Sequence, residues 1–278
     1  MESRLKSTKS SPLEMERILP QLVTLFDDRH YAQLALKFKD QFKNNSPYPH
    51  IVLDDFLPSA VAETLALSYP DPNDPSVRWK THAHKNVVRK FVEDVSALSI
   101  PMRLFANAVI SRQFLLFLEA LSGIDCLLAD PYFIGGGAML AESGQFLNVH
   151  ADFNWHHKLQ MHHRLNFLLY LTPNWQTKWG GPLELWPKDM SRCGQSIDPI
   201  FNRAVIFEVT DDSNHGQPKP LQTPASIHRQ VFSAFYYTTR KNDSEWDAPH
   251  FTIYKPENSP YGMSLQKDFQ EKAKSPSK

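Results

Sequence analysis

The apolar positions of this chain change period about halfway along. Ile18, Leu22 and Leu25 recur at helical spacing, and Tyr31, Leu34, Phe38 and Phe42 carry a second helical stripe to about Asn44. Asn45-Ser-Pro-Tyr-Pro breaks that helix. His50-Ile-Val-Leu-Asp54 then reads as a short strand, and Pro58 opens a helix to about Leu67. A loop follows over 69–76. The stretch 79–93 is basic and irregular, with His82, His84, Lys85, Arg89 and Lys90. It reads as a solvated loop, with a substrate-facing lid as the alternative. Pro101 starts a helix that runs, with a break near Ser111, to Ser122-Gly123. From Pro131 onward, short apolar runs alternate with Gly, Pro, Asn and His. That pattern predicts strands over 132–140, 145–152, 164–171, 182–186, 203–209 and 229–238, in an antiparallel sandwich or barrel. Gly135-Gly-Gly137 suits a kink or a close backbone approach, Gly180-Gly181 a turn. Phe251-Thr-Ile-Tyr254 can add an edge strand. The Ser/Lys-rich residues 1–12 and the last ten residues read as disordered.

The chain thus divides into a tail (1–12), a helical support region (13–130), a β-rich core (131–240) and a polar extension (241–278), in one compact domain. Its 278 residues suffice to bury a substantial core. Lys+Arg and Asp+Glu balance at 30 each, so no overall field draws nucleic acid or anionic lipid, and neither partner is expected. Two cysteines, Cys126 and Cys193, form no disulfide framework and no zinc spacing. With no secretory pattern at the start and no apolar run of membrane-spanning length, a reducing cytoplasm is expected.

The chemistry concentrates at Phe146-Leu-Asn-Val-His150-Ala-Asp152-Phe-Asn154. Side chains on a strand alternate faces, so His150 and Asp152 point the same way and can grip one ion. They would supply two of the three protein ligands of a two-His-one-carboxylate iron site. With 12 His and 30 acidic residues, about one such His-x-acid is expected by chance, and a surface pair fits equally well in isolation. His215, 63 residues beyond Asp152 in a Gly/Pro-containing loop after the apolar run 204–207, is the candidate second imidazole. Arg229 opens the last strand on a face shared with Val231, Ser233 and Phe235. An arginine among apolar neighbours needs a buried anion, either a protein carboxylate or a ligand carboxylate gripped by the guanidinium fork. Fe(II), Asp152, Arg229 and a 2-oxo dicarboxylate together balance to zero charge, which a dry pocket tolerates best. The imidazoles bind metal only when neutral, so affinity should fall at acid pH.

The ordered set His150-x-Asp152, His215, Arg229 resembles the 2-oxoglutarate/Fe(II)-dependent dioxygenases. His150-Ala-Asp-Phe-Asn154, Arg164-Leu-Asn-Phe-Leu-Leu-Tyr-Leu171, Trp179-Gly-Gly-Pro-Leu-Glu-Leu-Trp186, His215-Gly-Gln-Pro218 and the entry segment 48–57 are similar to the bacterial proline-hydroxylase-like branch, related to prolyl 4-hydroxylases. The resemblance covers 48–69 and 131–240. It implies an α+β, mainly β fold, a double-stranded β-helix (jelly roll) with supporting N-terminal helices. It implies iron on His150, Asp152 and His215, the far carboxylate of 2-oxoglutarate on Arg229, and Asn166 as a further cosubstrate contact. Asn166 also fits a buried amide that satisfies backbone groups. The implied reaction consumes O2 and 2-oxoglutarate, hydroxylates an unactivated C–H bond and releases succinate and CO2. The retained carboxylate separates the chain from related halogenases. Peptidyl proline, a free amino acid or a natural-product scaffold all fit as substrate, and loops 72–95, 153–163 and 187–202 are expected to shape the entrance.

Two departures stand out. Val231 occupies a position where many relatives carry a small hydroxyl residue. His156, His157, His162 and His163 crowd the stretch after the ligand strand, which reads as a solvated loop beside the pocket rather than a second metal site. Two alternatives remain: a non-catalytic jelly-roll binding protein, and a zinc hydrolase using Glu142 as base.

Overall fold

The computed structural model describes residues 12–27, 29–84, 87–239 and 248–255. Of the tail expected to be disordered (1–12), residues 1–11 lie outside them, as do the last ten residues, while Pro12 is the first residue of a helix. Helices come first: α1 (Pro12–Val23) and α2 (Arg29–Asn44), then β1 (His50–Leu53) and α3 (Ser59–Leu67). The apolar stripes read from the sequence face inward, with Ile18, Leu22, Leu25, Tyr31 and Phe42 buried and Leu34 and Phe38 partly so. The break at Ser111 separates α4 (Ile100–Val109) from α5 (Arg112–Ser122), which bend by 48° relative to one another. The Ser111 side chain accepts from the Phe114 N–H, capping the new helix, and Gly123 ends it in the left-handed conformation. Among the described residues no single helix is long and apolar enough to cross a membrane.

The strands are β2 (Lys80–His84), β3 (Val87–Val92), β4 (Leu128–Ala129), β5 (Gly137–Ala141), β6 (Leu147–Ala151), β7 (Trp155–His156) and β8 (Met161–Tyr170). They continue with β9 (Leu183–Trp186), β10 (Gln195–Ile197), β11 (Ala204–Glu208), β12 (Asn214–Gln217), β13 (Arg229–Thr238) and β14 (Ile253–Tyr254). The main path is β1-β11-β8-β13-β5-β3-β6-β12-β9-β10. Each pair of neighbours along this path is antiparallel, and the sheet curls into the expected jelly roll. The helices back the β1-β11-β8-β13 side. There Phe114, Phe117 and Phe56 pack with Phe167 and Tyr236 in one large apolar cluster. Full burial of each such aromatic side chain stabilises the fold by about 1.5–3 kcal/mol.

Three stretches differ from the sequence reading. Within the stretch 79–93, read as a solvated loop, residues 80–84 and 87–92 form the antiparallel pair β2 and β3, with Lys80 opposite Phe91 and His84 opposite Val87. β2 is exposed along its whole length and studded with Lys and His, a composition that blunts a free sheet edge and so imitates a loop. His215 does not sit in a loop; it lies within β12. Of the four crowded histidines, only His157 is exposed. His156, His162 and His163 are buried in β7 and β8.

Candidate active site

β12 returns antiparallel beside β6, and His215 pairs directly with His150. Directly opposed residues of an antiparallel pair project to one face, so the two imidazoles meet, with ring centroids 4.4 Å apart. The strands can come this close because position 216 is glycine. A Cβ there would lie 2.8 Å from backbone atoms of Val149. Asp152, two residues beyond His150, extends the same face. Its Oδ1 lies 3.3 Å from His150 Nε2, and its Oδ2 lies 3.5 Å from His215 Nε2. One donor atom from each of the three residues falls within 4.8 Å of the others, and all three side chains are buried.

The surroundings prepare these donors for a cation. His150 Nδ1–H donates to the Asn148 carbonyl at 2.8 Å, and His215 Nδ1–H donates to the Ser213 carbonyl at 3.0 Å. Each ring therefore holds its proton on Nδ1 and turns the Nε2 lone pair inward, the arrangement a ligating imidazole needs. Burial pulls the His215 pKa down to about 4, which keeps the ring neutral near pH 7. Burial alone would raise the Asp152 carboxyl, but the neighbouring His215 and His150 hold it below the usual carboxylate range. Three buried donors, one anionic and two neutral, converge without an N–H between them. That donor set fits a divalent ion.

Asn166 is brought to the same place by β8. Its Nδ2 donates to Asp152 Oδ2 at 2.6 Å, and its Oδ1 faces His163 Nε2 at 2.8 Å. The amide expected to meet a cosubstrate thus also engages the Asp152 carboxylate and a further buried histidine. His163 Nδ1 in turn lies 2.9 Å from the Phe153 carbonyl. The sequence offered no signal for His163 beyond its place in a histidine cluster.

The three side chains border a cavity of about 230 Å³. A single water needs only about 10–15 Å³ of such volume, so the space holds a small molecule or an extended side chain. Arg229 enters it from the start of β13. Arg229 Nε donates to the Gly181 carbonyl at 2.9 Å, and its guanidinium lies 5.0 Å from the Tyr170 ring centroid. Gly181 adopts φ +74°, and a Cβ there would press on Arg229 Cδ at 3.2 Å. The Gly180-Gly181 turn therefore gives the arginine its seat. No carboxylate among the described residues pairs with Arg229; its Nη2 donates to the Tyr170 hydroxyl at 3.4 Å, and the remaining N–H groups of its outer nitrogens can meet an anion. Val231, Ser233 and Phe235 line the cavity from the same strand.

Of the loops expected at the entrance, 72–95 contributes His82, Val88 and Arg89, and 153–163 contributes Phe153, whereas 187–202 contributes no lining residue. The sequence reading missed Thr252 and Tyr254 as lining residues. β14 pairs with β6 and sets the Tyr254 ring 5.5 Å from that of His150. Glu142, the candidate hydrolytic base, is outside the lining and binds Lys90 at 2.9 Å.

Residues 137–258 match the family model described as the 2OG-Fe(II) oxygenase superfamily. A prolyl 3-hydroxylase, OGFOD1 of Mus musculus, is 33% identical over 78 residues, which are 27% of this chain and 14% of that protein. The chain therefore matches only a small part of that curated relative. A prolyl hydroxylase from Trichoplax adhaerens, solved in complex with a hypoxia inducible factor oxygen degradation domain peptide fragment, aligns with TM-score 0.54 and 16% identity. The alignment covers 83% of this chain and 94% of that one. A prolyl-4-hydroxylase from Pseudomonas putida aligns with TM-score 0.51 and 16% identity, over 73% of this chain and 98% of that one. At that identity the likeness is one of fold.

Proposed function

We propose that this chain is an Fe(II)- and 2-oxoglutarate-dependent dioxygenase, a reading supported by the match of residues 137–258 to the 2OG-Fe(II) oxygenase superfamily model. It hydroxylates an unactivated C–H bond of a prolyl residue, an amino acid or a natural-product scaffold, and it releases succinate and CO2. The observation that carries the reading is the meeting of His150, Asp152 and His215 at the wall of a cavity that also receives Arg229, which has no carboxylate partner among the described residues.

In this reading His150 Nε2, His215 Nε2 and the Asp152 carboxylate hold the iron. Iron and 2-oxoglutarate, when bound, supply the oxidising chemistry that the side chains lack. The chain's own residues bind, orient and exclude water. Asn148 and Ser213 carbonyls fix the two imidazole tautomers. Asn166, braced by His163, positions the Asp152 carboxylate. Arg229, steadied by Gly181 and Tyr170, receives the far carboxylate of 2-oxoglutarate. Leu168, Val231, Phe207 and Leu183 line the cavity with apolar surface that keeps water from the reacting bond. The working place of the chain is the cytoplasm, where the exposed Cys126 thiol stays reduced.

The test is anaerobic addition of Fe(II) and then 2-oxoglutarate to the purified chain. A visible charge-transfer band is expected from the wild type and not from Asp152→Ala. Succinate release in air, with a substrate screen, follows. A wild-type chain that forms no band and releases no succinate would rule out the enzyme and leave a binding protein.

A further inference from the structure

A second guanidinium enters the same cavity from β3. In the register, Arg229 pairs with Ala141, while Lys90 and Phe91 pair with Leu140 and Met139. Arg89 is the next residue along and flanks β5 opposite Arg229. Two strand spacings separate the strands that carry them, about 10 Å. Both arginines line the cavity.

Arg89 has few protein partners. Among the described residues its Nη1 reaches only the Met139 sulfur, at 3.5 Å, and its enclosed Nε has no hydrogen-bond partner. The carboxylates nearest in sequence and register are engaged elsewhere. Glu93 binds Lys80 and accepts from the Gly135 N–H at 2.9 Å, and Glu142 binds Lys90. Burial works against the Arg89 charge, and a buried charge without a counter-ion is costly. Such a group persists where a ligand completes it.

The charge balance says which ligand. Iron, Asp152, Arg229 and 2-oxoglutarate are neutral together, so Arg89 leaves one positive charge over. Both ends of 2-oxoglutarate are already assigned, one to iron and one to Arg229. We propose that Arg89 grips a carboxylate of the substrate itself, so that the oxidised C–H bond belongs to a small molecule or chain terminus bearing a free carboxylate. A planar guanidinium suits that group in a two-point grip. An interior residue of a polypeptide with no acidic side chain at or beside it would leave Arg89 unpaired. This inference rests on the dioxygenase reading.

The experiment uses the full chain, loaded with Fe(II) and 2-oxoglutarate under nitrogen. L-proline, the other common amino acids and succinate are titrated by calorimetry, each beside its own primary amide. For at least one pair the acid should bind about 30-fold or more tighter than the amide, the scale of a charge pair lost in a buried site. Arg89→Gln should abolish that preference and Arg89→Lys should retain part of it, while both keep the 2-oxoglutarate charge-transfer band. The ligand-free Arg89→Gln chain should melt at or above the wild-type temperature. No acid preferred over its amide would overturn the proposal. Loss of 2-oxoglutarate affinity in Arg89→Gln would overturn it in favour of a cosubstrate role, and a fall in melting temperature in favour of a structural one. A wild type that never forms the band would instead remove the dioxygenase reading, and this inference with it.

Discussion

On one face of β8 and β13, Leu165, Phe167, Leu169, Phe232, Ala234 and Tyr236 pack against the helices. On the other face the same two strands present Asn166, Leu168, Arg229, Val231, Ser233 and Phe235 to the cavity. The two sets differ by one step along the chain, because side chains alternate across a strand. The helix-backed set is almost wholly apolar, and its one hydroxyl, on Tyr236, donates to the Val109 carbonyl at 2.9 Å. Among the described residues, the cavity set includes a guanidinium without a carboxylate and a buried Ser233 hydroxyl without a partner. Folding is satisfied on the first face and left incomplete on the second. A polar group left incomplete inside a cavity is where a ligand belongs.

Substitutions on the two faces should therefore be read out in different measurements. The largest effect is expected from Phe167→Ala, whose ring packs against Phe114 and Phe56 at centroid distances of 5.1 and 5.7 Å. It should cost about 3–5 kcal/mol of stability in denaturant unfolding, the range for aromatic truncation in a close-packed core. Arg229→Ala should leave the unfolding midpoint nearly unchanged. It should weaken 2-oxoglutarate binding by about 2–5 kcal/mol, the cost of stranding a buried carboxylate, with Fe(II) affinity altered far less. Equal loss of both affinities would remove Arg229 from the cosubstrate pocket. Next in size is Asn166→Ala. Deleting the donor to Asp152 Oδ2 should lower Fe(II) affinity by about 10–100-fold, as removal of a group that orients a metal ligand does. A change confined to 2-oxoglutarate affinity would instead return Asn166 to the cosubstrate-contact role expected from the resemblance.

The helix-backed face could be read from the sequence because its code is redundant. Leu22, Phe42, Phe114, Phe167 and Phe232 each repeat the same message, inward and apolar, at a regular period. His150 and Asp152 were legible for the same reason: a period of two puts them on one face whatever the strand's neighbours are. His215 was found by its type and order, but its strand was hidden. Asn214-His-Gly-Gln217 is buried yet polar, so hydrophobic alternation could not mark it, and tertiary pairing to β6 and β9 overrides its loop-like composition. The strand pair that carries Arg89 was hidden by the reverse effect, an exposed and charged edge. The Asn166–His163 brace on Asp152 depends on distances that no spacing rule encodes.

The smallest effect is the sharpest test of the contrast between faces, because it removes the same group from both. Tyr236→Phe and Ser233→Ala each delete one buried hydroxyl from β13, three residues apart and on opposite sides. The Tyr236 hydroxyl is paired, and its loss leaves the Val109 carbonyl at the end of α4 without that donor. The expected cost is about 0.5–1.5 kcal/mol in unfolding, the net worth of one such bond. The Ser233 hydroxyl has no partner to strand among the described residues. Its deletion relieves a desolvated polar atom, so Ser233→Ala should leave stability within about 0.5 kcal/mol of the wild type. Any change should appear in ligand binding, because the group faces the cavity. If Ser233→Ala proved the more destabilising of the two, its hydroxyl would be part of the folded scaffold, and the cavity face would be as complete without a ligand as the face beneath the helices.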